Sequence, residues 1–150
     1  DPGRVFVAGH SAGGYLTSMI GLDKRWLEPY GIDPDTAFVA LIPYSGQVVT
    51  HFERRRELGL PDTQPLVDDM APLSYVRPDC RPMLILSGDR EREMLGRYEE
   101  NAYFWRMMRV AGHPDVRICE FDGFDHGNMP QAGHFVAVRY IREMERRMDR

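Results

Sequence analysis

The sequence predicts an α/β chain, a mostly parallel sheet wrapped by helices, and three observations carry that expectation. Four short apolar runs recur, Arg4 to Gly9, Ala37 to Tyr44, Pro82 to Ser87 and Val116 to Phe121. The first three are continuously apolar rather than alternating, as parallel strands covered on both faces are. Helix-compatible segments stand between and after them, the strand-helix alternation that builds a parallel sheet. The first run leads directly into Gly9-His10-Ser11-Ala12-Gly13 and then into helix-compatible sequence from Tyr15 to Leu22. That order of strand, sharp turn and helix is the context a G-x-S-x-G nucleophile elbow requires.

The strongest helical pattern runs from about Glu93 to Ala111. There Leu95, Tyr98, Ala102, Trp105 and Met108 or Arg109 recur at helical spacing, and Gly112 stands where a C-terminal cap belongs. A last helix is expected from about Gln131 to Met148, with Phe135, Val138, Ile141, Met144 and Met148 along one face. That face could pack on the sheet or on a second chain, so the oligomeric state stays open. Residues Ser45 to Pro78 differ: they are polar, carry prolines at 61, 65, 72 and 78, and offer only a short helical candidate around Val48 to Leu58. Such an excursion at the carboxyl edge of a parallel sheet is where a cap, lid or substrate wall lies, and equally where a surface loop without a role can sit.

Composition narrows the classes of function. A chain of 150 residues that is 43% hydrophobic can bury one sizeable core. Its net charge of −4 gives no basic footprint for nucleic acid. Arg54-Arg55-Arg56 and Arg146-Arg147 lie among glutamates and read as solvated helix faces. No apolar stretch approaches the roughly 20 residues of a membrane span. Cys80 and Cys119 define neither a disulfide framework nor a metal site, and nothing fixes the compartment.

The chemistry centres on Ser11. A chain that holds a serine oxygen proud of a sheet edge turns so tightly that side chains on either side would collide, and Gly9 and Gly13 remove them. The helix starting just after the serine aims free N–H groups and a positive dipole end at the reacting centre. Ser11 is therefore the candidate nucleophile, and the N–H of Ala12 a candidate donor to a developing oxyanion. A serine of this kind needs an imidazole to take its proton and a carboxylate to orient the imidazole. The order serine, carboxylate, histidine is present. After the Pro82 to Ser87 strand comes Gly88-Asp89-Arg90-Glu91, and after the strand ending at Phe121 comes Asp122-Gly123-Phe124-Asp125-His126-Gly127. His126 is the only histidine just past an expected strand and beside glycines. His10 adjoins the serine but points elsewhere in such a turn, and His51, His113 and His134 have no partner pattern. His126 and His134 lack a third ligand at a familiar spacing, so no metal is implied. Asp89, Glu91 and Glu93 are all within reach as the acid, each also able to serve a salt-bridged loop with Arg90 and Arg92.

Gly9-His10-Ser11-Ala12-Gly13-Gly14, Gly88-Asp89-Arg90-Glu91 and Gly123-Phe124-Asp125-His126-Gly127 together resemble the α/β-hydrolase superfamily, in particular bacterial esterases grouped with acetyl esterases, feruloyl esterases and kynurenine formamidase-like enzymes. The resemblance covers the whole chain and matches the C-terminal part of that fold. It implies a single α/β-hydrolase domain over 1-150 that lacks its first strands, with 45-78 as a cap or lid. This agrees with a chain that opens Asp1-Pro2-Gly3 and reaches its serine turn by residue 11. In the resembled family the acid commonly follows a G-x-x-D pattern, which selects Glu91 here, with Asp89 second. The resemblance further implies a small-molecule or carbohydrate-linked carboxylic ester as substrate, of short or aromatic acyl group, cleaved through an acyl-enzyme without metal or organic cofactor. Alternatives are an amide or formamide hydrolase with the same triad, or a non-catalytic binding protein on the same fold. The family's second oxyanion donor comes from a His-Gly-Gly loop that this chain does not contain, so the chain alone is expected to be weakly active or inactive.

Overall fold

The computed structural model describes residues 1–94 and 96–150. Four parallel strands form one sheet in the order β1 (Phe6–His10), β2 (Ala40–Tyr44), β3 (Met83–Gly88), β4 (Val116–Phe121). The helices are α1 (Ala12–Leu22), α2 (Pro34–Ala37), α3 (Phe52–Glu57), α4 (Arg97–Val110) and α5 (Met129–Met148). Among the described residues, none of them is long and apolar enough to cross a membrane.

The central strands β2 and β3 are buried along their whole length, which is what their unbroken apolar runs require. Their side chains divide by strand period two. Ala40, Ile42, Tyr44, Leu84 and Leu86 face α5 through Ala137, Tyr140 and Met144. Leu41, Met83 and Ile85 face the other way, toward Leu22 of α1 and Phe104 and Met108 of α4. Two cores result, one on each side of the sheet. The outer strands β1 and β4 are largely half-buried, and β1 has no neighbour on its far edge among the described residues.

Two expected boundaries move. The helix anticipated from Glu93 begins at Arg97, because residues 89–93 close a turn of their own and Gly96, at φ 73°, breaks the path between them. Leu95, part of the same helical pattern, lies outside the described residues. The helix around Val48 to Leu58 contracts to Phe52–Glu57, because the backbone is still extended at His51, with ψ 142°, and His51 caps the helix start there. Gly112 does close α4, with φ 92°.

One close approach sets the carboxyl edge of the sheet. A Cβ on Gly14, inside α1, would stand 2.7 Å from the Tyr44 carbonyl oxygen and 2.8 Å from the Gly46 Cα. The first turn of α1 therefore touches the backbone leaving β2. Helix propensity alone would make Gly14→Ala stabilising by about 1 kcal/mol. The contact reverses that sign: the whole protein carrying Gly14→Ala is expected to lose about 1–3 kcal/mol in denaturant unfolding.

Candidate active site

Ser11 sits between β1 and α1 with φ 57° and ψ −115°, a conformation rare for a residue with a Cβ. Its N–H donates to the Tyr44 carbonyl at 2.9 Å, so β2 fixes the turn from the side. The expected steric role of the two flanking glycines holds for one of them. A Cβ on Gly9 would run into the Gly13 backbone, whereas a Cβ on Gly13 would meet nothing within 4 Å. The collision is between side chain 9 and backbone 13, not the reverse. The first backbone bond of α1 runs from Tyr15 N–H to the Ser11 carbonyl at 3.0 Å, and no side chain caps the helix. The N–H of Ala12 thus lies in the first turn, where the helix itself supplies no acceptor.

His126 Nε2 lies 2.9 Å from Ser11 Oγ, and His126 Nδ1 lies 2.8 Å from Glu93 Oε2. An ionised carboxylate can only accept, so Nδ1 carries the proton and Nε2 is left to accept from the serine hydroxyl. The loop bearing His126 is shaped by Asp125, whose carboxylate accepts from Gly127 N–H and Asn128 N–H, both at 2.9 Å.

The acid beside His126 is Glu93, which corrects the expectation of Glu91 with Asp89 as second choice. Glu91 is exposed, and its N–H donates to Asp89 Oδ1 at 2.8 Å. Asp89 is occupied with backbone, for its other oxygen accepts from Gly123 N–H at 2.7 Å. These bonds from Gly123 and Glu91 hold its carboxyl below the usual range. Asp89 is thus a tie between the acid loop and the histidine loop, reinforced by its N–H donating to the Phe124 carbonyl at 2.8 Å. Its own carbonyl receives the N–H of Glu93 at 2.7 Å, closing a helical turn that folds Glu93 back over Gly88. Counting three residues from Gly88 stops on the outer side of that turn. Arg90 pairs with Glu120 and Arg92 donates to the Gly123 carbonyl, so neither neutralises the acid.

The Glu93 side chain is closed to solvent. Oε1 accepts from Ser45 Oγ–H and from Gly88 N–H at 3.2 Å, and Oε2 accepts from Met94 N–H at 2.9 Å as well as from His126. Burial alone would raise this carboxyl, but the hydrogen bonds from His126, Ser45 and Met94 outweigh it and hold the group at about 2.

Ser45 carried no signal in the sequence beyond opening the polar excursion. It is fully buried and has φ 42°. That backbone is clamped by α4: Arg97 Nη1 donates to the Ser45 carbonyl at 2.5 Å and Asn101 Nδ2 to the Gly46 carbonyl at 2.8 Å. Glu100 accepts from Val48 and Val49 N–H and pairs with Arg97 at 2.8 Å.

His10 packs its ring 4.7 Å from that of His126, and its buried Nε2 has no partner among the described residues. Burial first, and the neighbouring His126 second, lower its pKa and favour a neutral ring. His134 meets the Tyr44 hydroxyl at 3.3 Å, His113 the Cys80 carbonyl at 3.1 Å, and His51 the Glu53 N–H at 3.3 Å. No group of three metal-ligating side chains converges among the described residues.

With this geometry in place, the chain can be set beside known proteins. No family model matches it. It is 28% identical over 141 residues to esterase LipQ of Mycobacterium tuberculosis, covering 84% of this chain and 33% of that protein. The propionate-bound structure of a thermophilic esterase, Est2, from Thermogutta terrifontis superposes with a TM-score of 0.68 at 21% identity, over 93% of this chain and 55% of that one. An acylaminoacyl peptidase superposes with a TM-score of 0.55 at 19% identity, over 85% of this chain and 20% of the peptidase. The chain spans a third of its curated relative and about half of the esterase structure. Its fold is that of the α/β-hydrolases, and the proteins it resembles include bacterial esterases.

Glu93 also ties stability to pH. Its folded-state value lies below the ordinary 4.5, so the stabilisation is full above the unfolded value and fades as pH falls from about 4.5 toward about 2. Denaturant midpoints measured across that window are expected to fall for the wild type and to fall less steeply for Glu93→Gln. Ser45→Ala, lacking one donor to the carboxylate, is expected to begin its descent at the same pH but to lose less and to level off at higher pH.

Proposed function

We propose that the protein hydrolyses carboxylic esters through an acyl-enzyme, with Ser11 as nucleophile, His126 as general base and acid, and Glu93 as the acid that orients His126. The observation that carries this reading is the unbroken hydrogen-bond line from Ser11 Oγ through His126 to a buried, ionised Glu93. A binding module has no need of a serine in a strained turn, aligned with an imidazole whose tautomer is fixed by a carboxylate.

In the first half-reaction Ser11 Oγ bonds to the ester carbonyl carbon while its proton passes to His126 Nε2. The carbonyl oxygen becomes an oxyanion at the start of α1, where the Ala12 N–H can donate to it. As the carbon–oxygen bond to the alcohol breaks, His126 returns the proton to the leaving oxygen. Water then attacks the acyl-serine with His126 again taking a proton, the acid product leaves, and Ser11 regains its hydrogen. No redox step or external reductant enters.

Esterase 2 of Thermogutta terrifontis has been described with propionate and with butyrate bound, which makes the p-nitrophenyl esters of those acids reasonable first substrates. In the whole protein, Ser11→Ala and His126→Ala are each expected to abolish turnover and to remove the single mass adduct formed with a fluorophosphonate. Folded wild-type protein that takes no adduct would overturn the reading. The acid assignment has its own test. Glu93→Gln is expected to lower kcat by roughly 100- to 10,000-fold, whereas Glu91→Gln stays within about threefold of wild type.

A further inference from the structure

A cavity of about 480 Å³ opens between α3, the segment 62–65 and the first turn of α4, outside the Ser11–His126–Glu93 line. Its walls include apolar Val49, Phe52, Pro65 and Met94 and acidic Asp62 and Glu100, and Arg55 lines it from α3. The basic cluster that the sequence suggested was a solvated helix face divides here. Arg54 pairs with Glu57 and Arg56 with Glu53, both in exposed positions. Arg55, between them, is only 6% exposed.

Buried guanidinium groups are ordinarily matched by a carboxylate, because an unpaired charge out of water is costly. Arg97, on the same cavity wall, has Glu100. Arg55 has no carboxylate among the described residues. Its Nη1 donates to two backbone carbonyls, those of Asp62 at 2.8 Å and Gln64 at 2.6 Å, and its Nε is buried without a partner among the described residues. The two carbonyls fix the group but do not cancel its charge. The two carboxylates of the lining are matched, Asp62 by Arg56 and Glu100 by Arg97, and Nη2 of Arg55 makes no hydrogen bond among the described residues, so a cation held in place beside apolar walls keeps a donor for a compact organic anion.

We propose that this cavity binds a small organic carboxylate, its charge taken by Arg55 and its apolar body lying against Val49, Phe52, Pro65 and Met94. The site adjoins the acid loop, since the N–H of Met94 donates to Glu93. The carboxylate can belong to the substrate itself or to a separate ligand, and the chemistry of recognition is the same. The inference does not depend on ester hydrolysis, because binding is read directly.

The test is titration of the whole protein by calorimetry with phenylacetate and, in parallel, with uncharged phenylacetamide. Phenylacetate is expected to bind saturably and at least about tenfold more tightly than the amide, as a charge-assisted hydrogen bond implies. Arg55→Met is expected to erase that preference. Because Arg55 also secures the carbonyls of Asp62 and Gln64, a second variant keeps the guanidinium: Thr63→Phe, at an exposed lining position, is expected to block phenylacetate without shifting Tm. Absence of binding by wild type, equal affinity for the two probes, or unchanged affinity in a folded Arg55→Met protein would each overturn the proposal. Where binding is seen, competition with p-nitrophenyl propionate places the carboxylate on the substrate, and a change in kcat at unchanged KM places it on a separate ligand.

Discussion

The carboxyl edge of the sheet depends on one buried cation, Arg97, and on the backbone it captures. After β2 the chain turns through Ser45 at φ 42°, a region that costs a residue with a Cβ on the order of 1–3 kcal/mol. Arg97 and Asn101 donate to the carbonyls of Ser45 and Gly46, and Glu100 accepts from the next N–H groups, of Val48 and Val49. Arg97 and Glu100 also compensate each other. Removing one partner of such a buried pair typically costs roughly 3–5 kcal/mol, more than the strain it restrains. Because Ser45 donates to Glu93, and Glu93 accepts from His126 Nδ1, a contact on α4 reaches through to the imidazole beside Ser11.

A second constraint meets it from the other side. The backbone clamped by α4 is also the one that α1 touches through Gly14 and Gly46, and the Tyr44 carbonyl receives the Ser11 N–H. The two strained residues, Ser11 and Ser45, thus flank the same strand end, each held by contacts to a different helix or strand. Strain persists where the surroundings over-determine it. Here they do so with buried glycine contacts and a charged network, neither of which lies on the Ser11–His126–Glu93 line.

Much of this was legible in the sequence, and the parts that were not share a cause. Apolar runs placed all four strands, and the glycine-flanked serine and the loop histidine were readable because each stands immediately after a strand. The acid was harder. Its distance from Gly88 is set by a turn whose closure depends on Asp89 reaching across to Gly123, a contact between loops 34 residues apart. A pattern counted along the chain cannot register that contact, so it stopped at Glu91. Ser45 was invisible for the same reason: a buried serine in a polar, proline-rich excursion looks like any loop serine until α4 is laid against it. Arg55 was misread because charge spacing alone does not separate the buried member of an arginine triplet from its exposed neighbours.

The placement of Glu93 also bears on how a glutamate can serve where an aspartate is usual. The glutamate stands two residues beyond Glu91, on a turn closed by Glu93 N–H on the Asp89 carbonyl, and folds back over Gly88, where a Cβ would stand 3.1 Å from Glu93 Cγ. Length is then fixed by four donors spread over both oxygens, so the extra methylene does not become extra freedom. The same donors make the carboxylate a weak base: at about 2, it is far too acidic to take the Nδ1 proton in the neutral range. In the proposed reaction the proton from Ser11 therefore accumulates as imidazolium against a fixed anion. Glu93 contributes by orientation and by a charge that is itself closed to solvent, and so screened little, on the far side of the imidazole from the reacting serine.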